Sequence, residues 1–555
     1  MERVQHRTMG RAEMSLLLQF CLWSALGGGA PAPDVVVVAP RPFHAALEPW
    51  VEWRQEQGHV VQVVEAAGEA SQVRAALQRV AESGALKYVL LVGDAWPVES
   101  QAAAERGVPA YHAAAEVNVR WGSEPEIATD NGYADLDGDL VPDVAVGRLP
   151  VRSAAELQGL VARIRRYEEA ELRGEWRRRV NFVAGVGGFG AIADRAIEAA
   201  ARSIIGQGVP ACYVTSMTHA SWQSPYCPDP ARFRETVCRR IDEGCLFWVY
   251  IGHGQRREVD RLRTPEGAYG ILSADDAAKL RAEAHPPIAV LLACYTGAFD
   301  GDEDCLAESL LRAPGGPIAV LAGSRVTMPY GMSVLGMELI AEVFGGGSGT
   351  LGELVMRAKR NTLRAERRDA QSQAVDALAG MLSPAGHDLL AERREHVLLF
   401  NLLGDPLLRL RLPEPAEVIA DGRTAAGSQL KVRVRSRLIG RAKVELVLRR
   451  DRLPFKPPVR RAYDESPASR AEYERVYTLA NAGCLCSREI QVEQEQFELE
   501  LQVPETARGA CHVRVYIEGR ASDGSATCAL GSAPIYVEAK RLVSNTSDGD
   551  EAGGE

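Results

Sequence analysis

The chain has 555 residues, of which 46% are hydrophobic and 25% charged, and its formal net charge is -10. This composition is that of an ordinary globular protein, and the length suits about three domains. The negative net charge argues against a nucleic-acid partner, because nucleic-acid-binding proteins usually carry a basic surface.

Eleven cysteines are too few for a disulfide-built scaffold. Four of them are close enough in sequence for local bridges, with buried thiols as the alternative: Cys212, Cys227, Cys238 and Cys245.

Residues 1–32 have the order of a secretory signal peptide. Three arginines precede an apolar segment at 16–26, and the small-residue stretch GGGAPAP follows. The positive region is long and Gln19 interrupts the apolar segment, so a disordered N-terminal arm is the alternative. No later stretch approaches the roughly 18 apolar residues of a membrane span. We therefore expect an extracytoplasmic or secreted protein with no integral membrane segment in the mature chain.

Residues 33–175 alternate between strand and helix patterns. VVVVA, VVQVV and YVLLV are typical of buried parallel strands, and apolar residues at helical spacing predict helices at 43–57 and 73–84. Pro49 weakens the first helix unless the helix begins near it. The pattern predicts an N-terminal α/β subdomain.

The stretch DNGYADLDGDLVPD concentrates carboxylates around a glycine that permits a tight turn. Its candidate metal ligands are Asp135, Asp137, Asp139 and Asp143. Calcium prefers such oxygen ligands, but the spacing departs from the EF-hand loop. Two interpretations stay open: a structural calcium site, and an acidic turn held by its own hydrogen bonds.

Residues 176–412 predict a second, catalytic α/β subdomain with a reactive side chain after each of two apolar runs. One run ends at Ile251 before Gly-His253-Gly254, and the other ends at Ala293 before Cys294. Continuously apolar runs are typical of parallel strands buried on both faces. Because ligand sites lie at the carboxyl ends of such strands, both side chains would reach one crevice. An imidazole beside a thiol can take its proton and so create the nucleophile, and a glycine N–H can face a substrate carbonyl.

Several further elements follow the second run. We expect a helix starting near residue 304 that carries Cys305 and Glu308, and a wall of the substrate pocket at 324–330. The mixed charges of 360–394 predict surface helices. The stretch FNLLGDPLL closes the predicted sheet.

From residue 413 onward, apolar and polar residues alternate in short segments that are separated by turn-rich gaps. LKVRVRS, AKVELVLRR, QFELELQV and CHVRVYIEG all have this period of two. Residues 413–541 therefore predict an all-β Ig-like sandwich domain. The acidic, glycine-containing tail at 542–555 is expected to be disordered.

A series of stretches in the same order resembles the gingipain-type cysteine peptidases, which are relatives of the caspases. These stretches are KYVLLVGDA, ATDNGYADLDGDLVPDVAVGRLPV, YIGHGQ, VLLACYTGAFDGDEDCLAESLL, GGPIAVLAGSRVTMPYG and FNLLGDPLL, within about residues 33–410. The resemblance implies a caspase-like parallel-sheet sandwich with two α/β subdomains. It makes Cys294 the nucleophile and His253 the general base or imidazolium partner, with the N–H groups of Gly254 and Cys294 as oxyanion donors.

Two features of that family are less well matched. Some members orient the histidine with a glutamate from the loop corresponding to AGVGGFG, where this chain offers Gly185, Val186 or Gly187, so a third catalytic carboxylate is not supported. Arginine-directed relatives place an acidic residue in the specificity pocket. Asp194 or Glu198 is a candidate for that role, although an ordinary first-turn acid of a helix is the favoured interpretation of Asp194.

The sequence predicts a cysteine endopeptidase acting on protein or peptide substrates through an acyl-enzyme. No redox or organic cofactor is expected, and calcium would have a structural role. Two other classes stay open: a transpeptidase-like enzyme that processes exported proteins, and a non-catalytic binding or surface module. Side-chain preference and oligomeric state cannot be read from the sequence.

Overall fold

The structure, a computed structural model, describes seven stretches of the chain: residues 31–66, 68–95, 107–171, 173–187, 205–364, 369–521 and 524–539. Nearly all of the predicted leader, the whole acidic tail, Asp194 and Glu198 lie outside these stretches.

Between residues 31 and 403 the described part of the chain contains both strands and helices, with four consecutive helices before the last strand. The strands are β1 (Val35–Ala39), β2 (Val61–Glu65), β3 (Tyr88–Val92), β4 (Tyr111–Ala114), β5 (Glu126–Thr129), β6 (Ala145–Leu149), β7 (Arg179–Ala184), β8 (Val214–His219), β9 (Phe247–Ile251), β10 (Arg261–Thr264), β11 (Gly267–Gly270), β12 (Ile288–Leu292), β13 (Ala319–Gly323) and β14 (Phe400–Leu403). The helices are α1 (His44–Glu56), α2 (Ala70–Ala81), α3 (Asn131–Ala134), α4 (Ala154–Glu169), α5 (Phe233–Asp242), α6 (Ala274–Ala277), α7 (Leu306–Arg312), α8 (Pro329–Phe344), α9 (Leu351–Thr362), α10 (Ala370–Leu382) and α11 (Leu389–Leu399).

Ten of the described strands form one sheet, in the order β2-β1-β3-β6-β14-β13-β12-β9-β7-β8. Strand β1 shows why its sequence is continuously apolar. Val35 and Val37 face the main core, whereas Val36 and Val38 face a second core on the other side of the sheet. Both faces are covered, so no position along the strand favours a polar residue.

Strand β14 joins the two halves of the sheet. It pairs parallel with β6 and antiparallel with β13, so the sheet is mixed rather than wholly parallel. The sequence predicts that FNLLGDPLL closes the sheet. Strand β14 is indeed the last strand of this sheet along the chain, but it lies in the middle of the sheet and not at its edge. The close approach to β6 needs a glycine there, since a Cβ on Gly147 would lie 2.4 Å from the Gly404 carbonyl oxygen.

Three other local predictions need correction. Helix α1 continues through Pro49 rather than beginning there. The polar-apolar spacing at 275–284 predicts a helix in the connection between β9 and β12, but this connection contains the β10–β11 hairpin and the single turn α6. Within the stretch 360–394, Glu392 and Arg393 of α11 are buried rather than on the surface.

The C-terminal part contains two packed sheets. Its strands are β15 (Glu414–Pro415), β16 (Glu417–Ala420), β17 (Arg423–Ala425), β18 (Gln429–Arg435), β19 (Ile439–Leu448), β20 (Cys484–Val492), β21 (Gln496–Gln502), β22 (Gly509–Arg520) and β23 (Ala526–Glu538). A three-stranded sheet, β16-β18-β21, shares one apolar core with the larger sheet built around β23, β22, β19 and β20. In β18 every second residue is buried, which confirms the predicted alternation.

A helix that the sequence pattern did not reveal, α12 (Pro467–Asn481), connects this sandwich to the preceding α/β part. It covers β8, the edge strand of the large sheet. The Asn481 side chain accepts the Met217 N–H at 2.7 Å and donates to the Met217 carbonyl at 3.1 Å. These bonds satisfy backbone groups that an open edge would leave exposed. Among the described helices, none is long and apolar enough to cross a membrane.

Candidate active site

Cys294 and His253 follow two strands that are neighbours in the sheet. Strands β9 and β12 run parallel, with Ile251 paired to Leu292. The Gly252 N–H continues the pairing by donating to the Leu292 carbonyl at 3.2 Å. His253 and Cys294 therefore lie at equivalent positions, each two residues beyond a paired residue, at the carboxyl edge of the sheet.

Gly254 brings the two strand ends into direct contact. A Cβ at this position would lie 2.6 Å from the Cys294 carbonyl oxygen, 2.8 Å from Thr296 Cγ2 and 2.9 Å from Ala293 Cβ. Distances this short cannot be tolerated between non-bonded atoms, so glycine is required if the backbones are to keep this approach.

The His253 backbone is held by groups that the sequence did not single out. Its carbonyl oxygen accepts hydrogen bonds from the buried Tyr250 hydroxyl at 2.9 Å and from the Asp260 N–H at 3.1 Å. A single tyrosine in an apolar strand gives no sequence signal for this role, because it is indistinguishable from an ordinary core residue.

The loop after β7 is also close to His253. A Cβ on Gly185 would lie 2.5 Å from the Tyr250 hydroxyl oxygen and 3.1 Å from Gly252 Cα. This position has no room for a side chain, let alone a carboxylate. The expectation that the loop offers no third catalytic carboxylate stays a prediction.

Cys294 is half-buried, and its described sulfur contacts are with Thr327. The Thr327 N–H donates to Sγ at 3.3 Å, and the Thr327 Oγ1 and carbonyl oxygen lie 3.5 and 3.6 Å from Sγ. The segment 324–330, predicted as a pocket wall, thus lies against the candidate nucleophile. Its role in substrate binding stays a prediction.

Tyr295, directly after Cys294, has a left-handed backbone with φ of 57°. A non-glycine residue pays about 1–2 kcal/mol for this conformation, so neighbouring contacts must maintain it. Its N–H donates to the Arg325 carbonyl at 3.1 Å, and its hydroxyl donates to Glu124 at 2.8 Å. Arg325 in turn forms an ion pair with Asp300. The turn that presents Cys294 is therefore fixed from two directions.

Two backbone N–H groups lie at the strand ends, those of Gly254 and Cys294. Within the part of the chain that the structure describes, neither the Gly254 N–H nor the Cys294 N–H donates a hydrogen bond. Unpaired amides beside a nucleophile are suited to hold a developing oxyanion.

The acidic loop brings together three of its four predicted ligands. Carboxylate oxygens of Asp135, Asp137 and Asp143 lie within 4.8 Å of one another. Asp139 is not part of this group, and its Oδ1 accepts the Val141 N–H at 2.8 Å. Asp135 also accepts two backbone N–H groups, as expected of an acidic turn. Calcium binding stays a prediction.

The cysteines outside the site form no bridges among the described residues. All ten described cysteines are free thiols, including the four for which local bridges were an alternative: Cys212, Cys227, Cys238 and Cys245. Burial raises the pKa of the Cys245 thiol to about 12, which leaves that thiol protonated and unreactive.

Comparison with known proteins gives matches over most of the chain. The model of peptidase family C25 matches residues 29–411. Gingipain R2 of Porphyromonas gingivalis strain W83 is 24% identical over 325 residues, which is 56% of this chain and 39% of that protein. Lys-gingipain of Porphyromonas gingivalis strain ATCC 33277 is 24% identical over 148 residues, 25% of this chain and 8% of that protein. The chain thus spans about two fifths or less of these relatives.

The fold is also similar to a solved structure. The complex of Porphyromonas gingivalis RgpB pro- and mature domains superimposes with a TM-score of 0.50 at 16% identity, covering 91% of this chain and 100% of that one. This likeness supports the predicted α/β and β-sandwich architecture. Since the family model matches well over half of the 555 residues, the chain belongs to peptidase family C25, the gingipain-type cysteine peptidases.

Proposed function

We propose that the chain is a cysteine endopeptidase that hydrolyses peptide bonds with Cys294 as nucleophile and His253 as its acid-base partner. The observation that carries this proposal is the contact between Gly254 and Cys294 at the ends of β9 and β12. Membership of family C25 supports the class of reaction.

The proposed reaction follows from the groups at the strand ends. The His253 imidazole takes the thiol proton, and the thiolate attacks the scissile carbonyl carbon. The Gly254 and Cys294 N–H groups hold the resulting oxyanion. Collapse of this intermediate breaks the C–N bond, and the imidazolium returns the proton to the leaving amine. Water, activated by the same imidazole, then hydrolyses the thioester and regenerates the thiol.

Hydrolysis of a mixed fluorogenic peptide library tests this proposal. The purified chain is compared with Cys294→Ala and with Cys305→Ala, a matched change at a buried cysteine outside the site. We expect activity in the wild type and in Cys305→Ala, and a loss of at least about a hundred-fold in Cys294→Ala. Equal hydrolysis by Cys294→Ala would refute the proposal.

The finer properties of the enzyme are also proposals. The preferred residues come from the cleaved library peptides, and an added amine nucleophile distinguishes a transpeptidase, which would yield ligated product. An inert wild-type thiol would favour the binding module. An extracytoplasmic location would agree with the leader pattern, and cell fractionation tests it.

A further inference from the structure

Helix α11 carries an unusual concentration of buried polar side chains. Glu392, Glu395 and His396 are only 2%, 4% and 0% exposed. Burying such groups is costly unless each is hydrogen-bonded. Their partners therefore indicate what the helix is built to hold.

Glu395 holds the loop on one side of the site. Its carboxylate accepts the N–H groups of three successive residues: Glu116, Val117 at 2.6 Å and Asn118 at 2.9 Å. Asn118 begins a short 3-10 helix that leads to Glu124, the residue that accepts the Tyr295 hydroxyl. Glu395 thus anchors the loop that supports the turn after Cys294.

His396 and Glu392 hold the segment on the other side. The Met328 N–H donates to His396 Nε2 at 2.9 Å, and the Gly331 N–H donates to Glu392 at 2.8 Å. A Cβ on Gly331 would lie 2.2 Å from His396 Nδ1, so the ring is pressed directly against this segment.

These contacts fix the protonation of His396. Because Nε2 accepts a hydrogen bond, the single ring proton is on Nδ1, which donates to the Glu392 carbonyl at 2.7 Å. Burial lowers the pKa of His396, although the neighbouring Glu392 and Glu395 act in the opposite direction. The neutral ring is the form that can accept from Met328.

We propose that His396 is a positioning residue for Cys294, acting through the Met328 and Thr327 backbone. His396 accepts the Met328 N–H and thereby fixes this segment of the backbone. The N–H of the preceding residue, Thr327, donates to Cys294 Sγ. This hydrogen bond fixes the position of the sulfur at the end of β12. The consequence for catalysis rests on the proposed peptidase function, but the effect on the thiol does not.

A matched pair of substitutions separates this role from simple packing. His396→Gln keeps an acceptor near the position of Nε2, whereas His396→Met has a similar length and no such acceptor. The measurement is the rate of iodoacetamide alkylation of Cys294 between pH 5 and 9, followed by mass spectrometry of the peptide that contains it. This readout does not need peptide hydrolysis, so it stays decisive even if the wild type cleaves nothing.

We expect His396→Met to slow Cys294 alkylation about tenfold at pH 7, since the hydrogen bond that the Thr327 N–H donates to the sulfur is lost. His396→Gln should stay close to the wild type. If the chain is a peptidase, kcat should fall in His396→Met with little change in KM. Equal alkylation profiles for wild type and His396→Met, or equal defects in both variants, would overturn the proposal.

The wild-type chain supplies a second measurement in case the variants fold poorly. Nitrogen NMR of the histidine side chains should show His396 as a neutral ring protonated on Nδ1 at pH 7. Protonation on Nε2 would be incompatible with the Met328 hydrogen bond and would refute the proposal by itself.

Discussion

Replacing Gly254 with alanine should damage the active site far more than it damages the fold. The added Cβ would lie 2.6 Å from the Cys294 carbonyl oxygen, whereas ordinary contact begins near 3.4 Å. The two strand ends must separate by about 0.8 Å, the difference between these distances. Overpacking of this kind costs about 1–3 kcal/mol of folding free energy. A displacement near 1 Å between reacting groups lowers rates by about a hundred-fold.

The assay compares kcat/KM and the thermal midpoint of wild type, Gly254→Ala and Gly267→Ala. Gly267 is the matched control, because a Cβ there would meet no atom within 4 Å. We expect Gly254→Ala to lose about a hundred-fold in kcat/KM while its melting temperature falls by only about a few degrees. Gly267→Ala should match the wild type in both measurements. Full activity of Gly254→Ala would show that this contact does not set the geometry of the nucleophile.

Two further predictions concern charged groups away from the nucleophile. In calorimetric titration with calcium, Asp137→Asn should weaken or abolish calcium binding. Asp139→Asn should have the smaller effect, because Asp139 lies outside the carboxylate cluster. Absence of heat in the wild type would refute the calcium interpretation. Glu445→Gln should destabilise the chain by about 3–5 kcal/mol in urea unfolding at pH 7, since Arg178 and Arg514 lose their shared carboxylate. Burial raises the pKa of Glu445, but the two arginines outweigh this effect and lower the pKa to about 2. The ion pairs of Glu445 therefore stabilise the folded chain fully above the ordinary pKa of 4.5, and this stabilisation is lost as the pH falls toward 2. Equal acid sensitivity of wild type and Glu445→Gln would contradict this account.

The amino-acid sequence determined the features that depend on local pattern. The buried strands β1, β9 and β12 follow from short apolar runs, and β18 follows from strict alternation. The placement of His253 and Cys294 at one edge follows from where their strands stop, because the carboxyl ends of neighbouring parallel strands meet.

Other features were decided by tertiary structure alone. No local pattern reveals that β14 pairs in the middle of the sheet, or that Glu395 and His396 of α11 are buried, because their partners lie far away in sequence. The same holds for the Thr327 N–H that contacts Cys294 and for α12, which covers the edge of β8. A charged residue on a helix lies at the surface unless groups far away in sequence supply its hydrogen bonds. Whether such groups are present depends on how the whole chain packs.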